Sequence, residues 1–366
     1  MDRIRQLGAI SDLLYENRNI KGLMFGDLGV SLVCHSLFQI TGKEYLEKRC
    51  IEIANRYLPS DIKDTDFATF FPTSFACGFT GIYSALKILA NEGVDDENLK
   101  LLDLEVFDEY ICENILELDI ESDWSVFHGA TGQLYYLTFC RELNDAMKLS
   151  TLCHVSSLFE GEEAIAKFRS ENGNLNVSLT HGVTGFLLVI LTCYRSVNTG
   201  MDRVRKVLLN GIEIFEKHIQ VRLNTVDLNC LEHTAIKKDL MVCVSLINLG
   251  VDCGASSQSI AVALMYSEIL LETLSKSPLE NIELGQHNGL SGVVECIRSL
   301  YKYSKNRKFL AWFDYYYDVL CRRFSEIDRE KHINNGTLFN GSCGSLLTIL
   351  HPKIGQDPAW RKLFLY

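Results

Sequence analysis

Proline is scarce in this chain, with 5 in 366 residues, and no stretch rich in Pro, Gly or Ser marks a linker. The length would hold two average domains, but without a linker a single domain over residues 1–366 is the simpler expectation. None of the 13 cysteines forms a CxxC pair. Long apolar runs are missing too. The longest, Phe186–Cys193, is far too short to span a bilayer, and the opening MDRIRQLGAISDLLYENRN lacks the apolar core of a secretory signal. A cytoplasmic protein with no membrane span follows as the expectation, its cysteines reduced and mostly small core residues. Positive charge is in deficit: 36 Lys and Arg against 47 Asp and Glu give a net charge of −11. That excludes a general nucleic-acid binder, which needs a basic face, and permits a basic peptide partner. Strand signals are weak, with no Asn-Gly or Asp-Gly hairpin between alternating runs.

What the chain does have is a repeat. Six segments share Gly-x-x-Gly followed by an apolar run: GDLGVSLVCHSL from Gly26, GFTGIYSALKIL from Gly78, GATGQLYYLTFC from Gly129, GVTGFLLVILTC from Gly182, GLSGVVECIRSL from Gly289 and GSCGSLLTILH from Gly341. Their starts lie 52, 51, 53, 107 and 52 residues apart. The double gap places a seventh, degenerate copy at Asp239–Gly250, which keeps the apolar run and loses the glycines. Between these runs lie amphipathic stretches such as YLEKRCIEIANRYL, MDRVRKVLLNGIEIFEKHI and FLAWFDYYYDVLCRRFSEI, with charges recurring on one face. Each unit therefore predicts one water-facing outer helix and one apolar inner helix, with Asp2–Tyr15 as the first outer helix. The last inner helix is as apolar as the rest, whereas an open solenoid needs polar caps. The expected fold is all-α: a closed α/α toroid of about seven outer and seven inner helices, first and last units in contact.

The glycines gather at one end of such a ring. They permit sharp turns and close packing. The converging helix N-termini would also favour anions there. Three histidines cluster at the same place: His128 and His181 directly before a Gly-x-x-Gly, and His287 two positions before one. A lone histidine is usually structural, but three at equivalent positions suggest a central site. The cavity-loop candidates are Cys77, His128, Gly129, Gly182, Asn288 and Gly289. Cys243 and Cys343 map to the same end, whereas Cys34, Cys140, Cys193 and Cys296 fall inside inner helices as inert core.

Seven such units, with THGVTG in the fourth, resemble the lanthionine synthetase C-like family over nearly the whole chain. The resemblance implies an α/α toroid with a zinc ion among its central loops, closing thioether rings in a precursor peptide. A cysteine thiol adds to a dehydrated serine or threonine, zinc lowers the thiol pKa, and a histidine protonates the resulting enolate. It also implies a peptide dehydratase or another modification enzyme as partner. Carried onto this sequence, the family histidine is His181. Its first zinc cysteine is Cys243, but the surrounding Trp-Cys-Tyr-Gly-x-Pro-Gly reads Val242-Cys243-Val244-Ser245-Leu246-Ile247-Asn248. The family's Cys-His-Gly-x-x-Gly reads His287-Asn288-Gly289-Leu290-Ser291-Gly292, so a histidine replaces the second cysteine and an asparagine the zinc histidine. The family aspartate falls on Ser125, with Asp123 two positions earlier as the nearest carboxylate and second catalytic candidate. An expected arginine is Asp239, beside Lys238. A catalytic zinc site needs three protein ligands and an open position. Cys243 and His287 supply two, and Cys343 would complete a Cys-His-Cys set. Either that rebuilt site or no catalytic zinc fits the sequence.

Three functions follow. The first is thioether-ring formation on a ribosomally made peptide. The second is a non-catalytic toroid binding such a peptide or a partner enzyme. The third, a carbohydrate-active α/α barrel, would want paired carboxylates and aromatic platforms at the loop end. Asp27 is the clearest carboxylate there, and the chain has only 3 tryptophans.

Overall fold

The computed structural model describes residues 9, 12, 14, 15, 23, 24, 26–57, 73–94, 96, 99, 105–140, 143–169, 174–197, 202–225, 231–327 and 336–366. In chain order its helices are α1 (Leu28–Thr41), α2 (Glu44–Asn55), α3 (Phe79–Asn91), α4 (Glu105–Leu116), α5 (Ala130–Tyr136), α6 (Asp145–Leu158) and α7 (Glu162–Ile165). They continue as α8 (Val183–Val197), α9 (Asp202–Thr225), α10 (His233–Cys253), α11 (Ser257–Ser275), α12 (Leu290–Ser304), α13 (Arg307–Glu326) and α14 (Ser342–Leu350). Among the described residues the only β pairing is an isolated bridge between Arg169 and Leu175. No described helix is long and apolar enough to cross a membrane.

The apolar run after each Gly-x-x-Gly becomes an inner helix: α1, α3, α5, α8, α12 and α14, with α10 as the glycine-free copy. Consecutive inner helices pack on one another all the way round, and α14 returns to α1, so the ring is closed. Residues Leu28 to Leu37 of α1 and Leu240 to Gly250 of α10 are buried on every side. Burying one Leu, Ile or Phe contributes about 1.5–3 kcal/mol, so these runs are the main stabilising element. The outer helices α2, α9 and α13 bury one stripe and expose their charges, as their patterns predict. Of the first predicted outer helix, only Ala9, Asp12, Leu14 and Tyr15 are described. Cys34, Cys193 and Cys296 lie buried in inner helices as expected. Cys140 is also buried, but just past the 3-10 turn that ends α5.

In five of the six pairs the second glycine has the same steric reason. A Cβ on Gly81, Gly132, Gly185, Gly292 or Gly344 would sit 1.8–2.2 Å from the carbonyl oxygen of the residue six positions earlier. The loop folds back so tightly against the first helical turn that only hydrogen fits. The residue before that glycine helps to hold the fold-back. Thr80, Thr131 and Thr184 each donate their hydroxyl to the carbonyl seven positions earlier, at 2.6–2.9 Å, and Ser291 does the same. Backbone N–H groups behave alike: Ala130, Val183 and Leu290 donate to Asp123, Asn176 and Glu283. The first N–H of α5, α8 and α12 is thus taken by its own loop and is not open to an anion.

The fifth unit is built differently. The side chain meeting the second glycine of the next unit lies six positions before its own second glycine: Phe75 meets Gly132, Val126 meets Gly185 and Gln286 meets Gly344. The side chain meeting Gly292 is Lys237, so Cys243 holds the second-glycine place of the fifth unit. There α10 begins ten residues ahead of that place, whereas α8 begins two ahead of Gly185. Helix replaces loop.

Candidate functional site

Six loops converge at one end of the ring, and their backbones form a belt. His287 N donates to Phe339 O (3.1 Å), Phe339 N to Met24 O (3.2 Å), Met24 N to Ala76 O (3.1 Å), Ala76 N to Phe127 O (3.0 Å) and Phe127 N to Thr180 O (3.4 Å). Each of these residues lies five positions before its second glycine. The fifth unit contributes no bond to this belt among those described. Side chains from the same positions meet across the axis. Phe127 of the third unit packs on Phe339 of the seventh with ring centroids 4.5 Å apart, and His287 stacks on Phe339 at 4.2 Å.

The histidines surround this aromatic pair. His128 and His181 lie with ring centroids 6.0 Å apart, and His181 is 6.1 Å from Phe127. Ser74 anchors His128, with its Oγ 3.1 Å from Nδ1, and the same hydroxyl donates to Phe127 O at 2.7 Å. Burial, together with the nearby His181, lowers the pKa of His128 against the pull of Asp123, so its ring is neutral at neutral pH. His287 is pushed down to about 3 by burial and then by Lys237 and Lys238. Its Nδ1 is buried without a hydrogen-bond partner. His181 is exposed and lines a groove of about 320 Å³ with Lys167, Arg169, Asn174 and Asn176. The chemistry this favours is proton transfer at an accessible imidazole beside a neutral one, over an apolar floor.

The other predicted residues fall elsewhere. Asp123 is exposed and closes its own loop, accepting from Ser125 N at 2.8 Å and Ser125 Oγ at 3.1 Å. Asn176 plays the same part in the fourth loop, accepting from Ser178 N. Gly129, Gly182 and Gly289 are first glycines, buried where the loops double back. Asn288 is half-buried at the position that His181 holds in the fourth unit. Cys77 lies half-buried with its Sγ 3.5 Å from Ser74 Oγ. Asp27 is buried and bonded to Tyr57 and Arg56, a structural carboxylate.

Cys243 holds the second-glycine place at the loop end, but it stands inside a helix and not in a loop. It is fully buried within α10, and burial pushes its thiol far up against the opposing influence of Ser267 of the outer helix α11. Cys343 is buried in α14 against α1, with its Cβ 3.5 Å from where a Cβ on Gly29 would lie. No group of three His, Cys, Asp or Glu among the described residues could hold a metal ion. Cys243, His287 and Cys343 therefore do not fit the zinc set that the resemblance implies. Asp239, in the fifth unit's counterpart of the His181 position, is buried and bonded to His218 (3.0 Å), Arg222 (2.8 Å) and Tyr266 (2.7 Å). Burial works against its charge, yet those partners leave its pKa lowered.

Sequence reasoning missed Phe127, Phe339, Ser74 and Lys237. The two phenylalanines were within reach, since they share the repeat position of His287. Lys237 was not, because nothing in the sequence says that the fifth loop becomes helix.

Comparison with known proteins agrees with this architecture. No curated protein matches the chain in sequence. Among solved structures, nisin cyclase superposes with a TM-score of 0.72 at 16% identity, over 100% of this chain and 96% of that one. At that identity the likeness concerns the fold. The family model described as lanthionine synthetase C-like protein matches residues 21–223. More than half of the sequence thus carries the family pattern on the family's ring, and the chain belongs to the lanthionine synthetase C-like family.

Proposed function

We propose that this chain acts in the maturation of a ribosomally made peptide, binding the precursor across its loop face, with His181 as the proton-transfer group. The observation that carries this reading is the His128–His181 pair, 6.0 Å apart, with His181 on an open groove. In thioether formation the cysteine sulfur bonds to the β-carbon of a dehydro residue, and the α-carbon takes up a proton. An exposed imidazole can accept the thiol proton and return it to carbon. His128 beside it is neutral and adds no fixed repulsion. The zinc of the family would activate the thiol, but the described residues here form no three-ligand set to hold it.

The test is a dehydrated model peptide carrying one cysteine, followed by thiol alkylation and mass spectrometry, with zinc content measured in parallel. Wild type should accelerate ring closure, and His181→Ala should lose about 10²-fold of that rate. A wild-type rate equal to the uncatalysed one would overturn catalysis. The misfit of the metal set favours a specific second reading: a toroid that holds the precursor or a partner modification enzyme without closing rings.

A further inference from the structure

At the end of the ring away from the loops, residues 352–366 turn in over the inner helices. A 3-10 turn, Ala359–Phe364, lies among the last turns of the inner helices, and Trp360, Arg361, Leu363 and Phe364 are all buried. The docking is by charge as well as by apolar contact. Arg361 is 1% exposed and pairs with the fully buried Glu295 of α12 at 2.6 Å, while also donating to Ser299 at 2.9 Å. Arg298, bonded to the same carboxylate at 3.0 Å, holds the carbonyl oxygens of His351 and Lys353. Tyr135, across the ring on α5, donates to Lys362 O. At the deep end the Tyr366 hydroxyl lies 3.4 Å from Gln286 O, and the Lys237 ammonium is 5.5 Å from the Tyr366 ring centroid. Leu365 is left-handed (φ 60), a conformation that bulky residues rarely adopt. A segment serving only as core would not need a buried arginine on a buried glutamate, which costs desolvation and is best attested where register is being specified.

The segment does not fill its channel. A cavity of about 440 Å³ remains beside it, bounded by Leu188, Thr192, Arg195, Asn248 and Tyr303. The inner helices α3, α8 and α12 end there, and helix C-termini favour cationic groups. We propose that this channel is a peptide-binding site, distinct from the loop face and occupied in cis by residues 352–366. Its ligand is a peptide segment with an arginine for Glu295 followed by bulky apolar and aromatic residues for the places held by Leu363, Phe364 and Tyr366, the last beside Gln286 and Lys237. A peptide of that chemistry competes with the segment for one place.

The probe is a fluorescent synthetic peptide of residues 352–366, titrated by anisotropy into the full-length chain. Wild type, with its channel filled, should bind it at least tenfold more weakly than full-length Arg361→Ala. In that variant, hydrogen exchange of the Leu363–Leu365 amides should quicken at least tenfold while α8 stays protected. A peptide carrying Arg361→Ala should bind the loosened chain at least tenfold more weakly than the native peptide. Equal binding by the two chains, equal binding of the two peptides, or a segment that leaves without the peptide taking its place would each overturn the proposal. Should Arg361→Ala not fold, full-length Tyr366→Ala carries the same measurements. Binding is read without turnover, so its failure is separable from failure of the loop-face chemistry.

Discussion

In the fourth unit the chain reaches its inner helix through a loop: Thr180 accepts into the belt, His181 faces outward, and α8 starts at Val183. In the fifth unit α10 has already run for ten residues when it reaches Cys243, the counterpart of Gly185. One position is glycine because a carbonyl returns to touch it. The other has no returning carbonyl, and a cysteine fits. The loop is what brings an imidazole to the surface, so a unit that trades loop for helix trades chemistry for packing. Asp239 and Lys237 are what that exchange leaves at the repeat positions where the fourth unit has His181 and Leu179.

The sharpest way to break this comparison is to put one methyl group on each side of it. Gly185→Ala would set a Cβ 1.8 Å from Leu179 O, and should cost at least about 3 kcal/mol in denaturant unfolding. Cys243→Ala, at the same position of the next unit, should cost only about 1 kcal/mol for its lost sulfur. Equal costs would mean that the returning carbonyl does not set the two positions apart. Next in size, Asp239→Ala removes the acceptor shared by His218, Arg222 and Tyr266, and should destabilise by about 3 kcal/mol. His181→Ala, its counterpart, is exposed and should stay within about 0.5 kcal/mol of wild type.

Smaller effects sharpen the contrast through pH. His287 is neutral in the fold down to about 3, while the unfolded chain binds that proton near 6.5. Its contribution is therefore complete above about 6.5 and falls, on the order of 1 kcal/mol per pH unit, as pH drops towards about 3. His287→Phe should flatten that stretch of the stability profile. Lys237 has the same sign at higher pH: burial lowers its pKa below that of the unfolded chain, so its contribution to stability improves as pH rises towards the unfolded value. Lys237→Met should raise the unfolding free energy by about 1 kcal/mol at pH 7, a gain that shrinks towards pH 10.

The ring was legible because its signals are periodic. Six Gly-x-x-Gly pairs fix where inner helices begin, and the charge stripes of α2, α9 and α13 fix which helices face water. The site was legible only in part. His128 and His181 were found because they share a repeat position, and the structure does bring them together. Cys243 was misplaced because a motif aligned by its cysteine takes no account of register, and register is set by packing between neighbouring units. Arg361 and Tyr366 lie outside the repeat, so no periodicity points to where they dock. Buried charge pairs such as Arg361 with Glu295 join residues 66 positions apart, and nothing local marks them.

Leu338 N and Phe339 N both bond to Met24 O, and a Cβ on Gly29 would lie 3.0 Å from Leu338 Cβ. This single seam joins stretches more than three hundred residues apart in sequence. During synthesis at about 5–20 residues per second, the apolar flank of α1 must wait tens of seconds for its partner to emerge. Until then the growing arc is a solenoid with an open apolar end, the kind of surface that aggregates. The price of a ring without capping repeats is a nascent chain that cannot finish folding before it is finished being made.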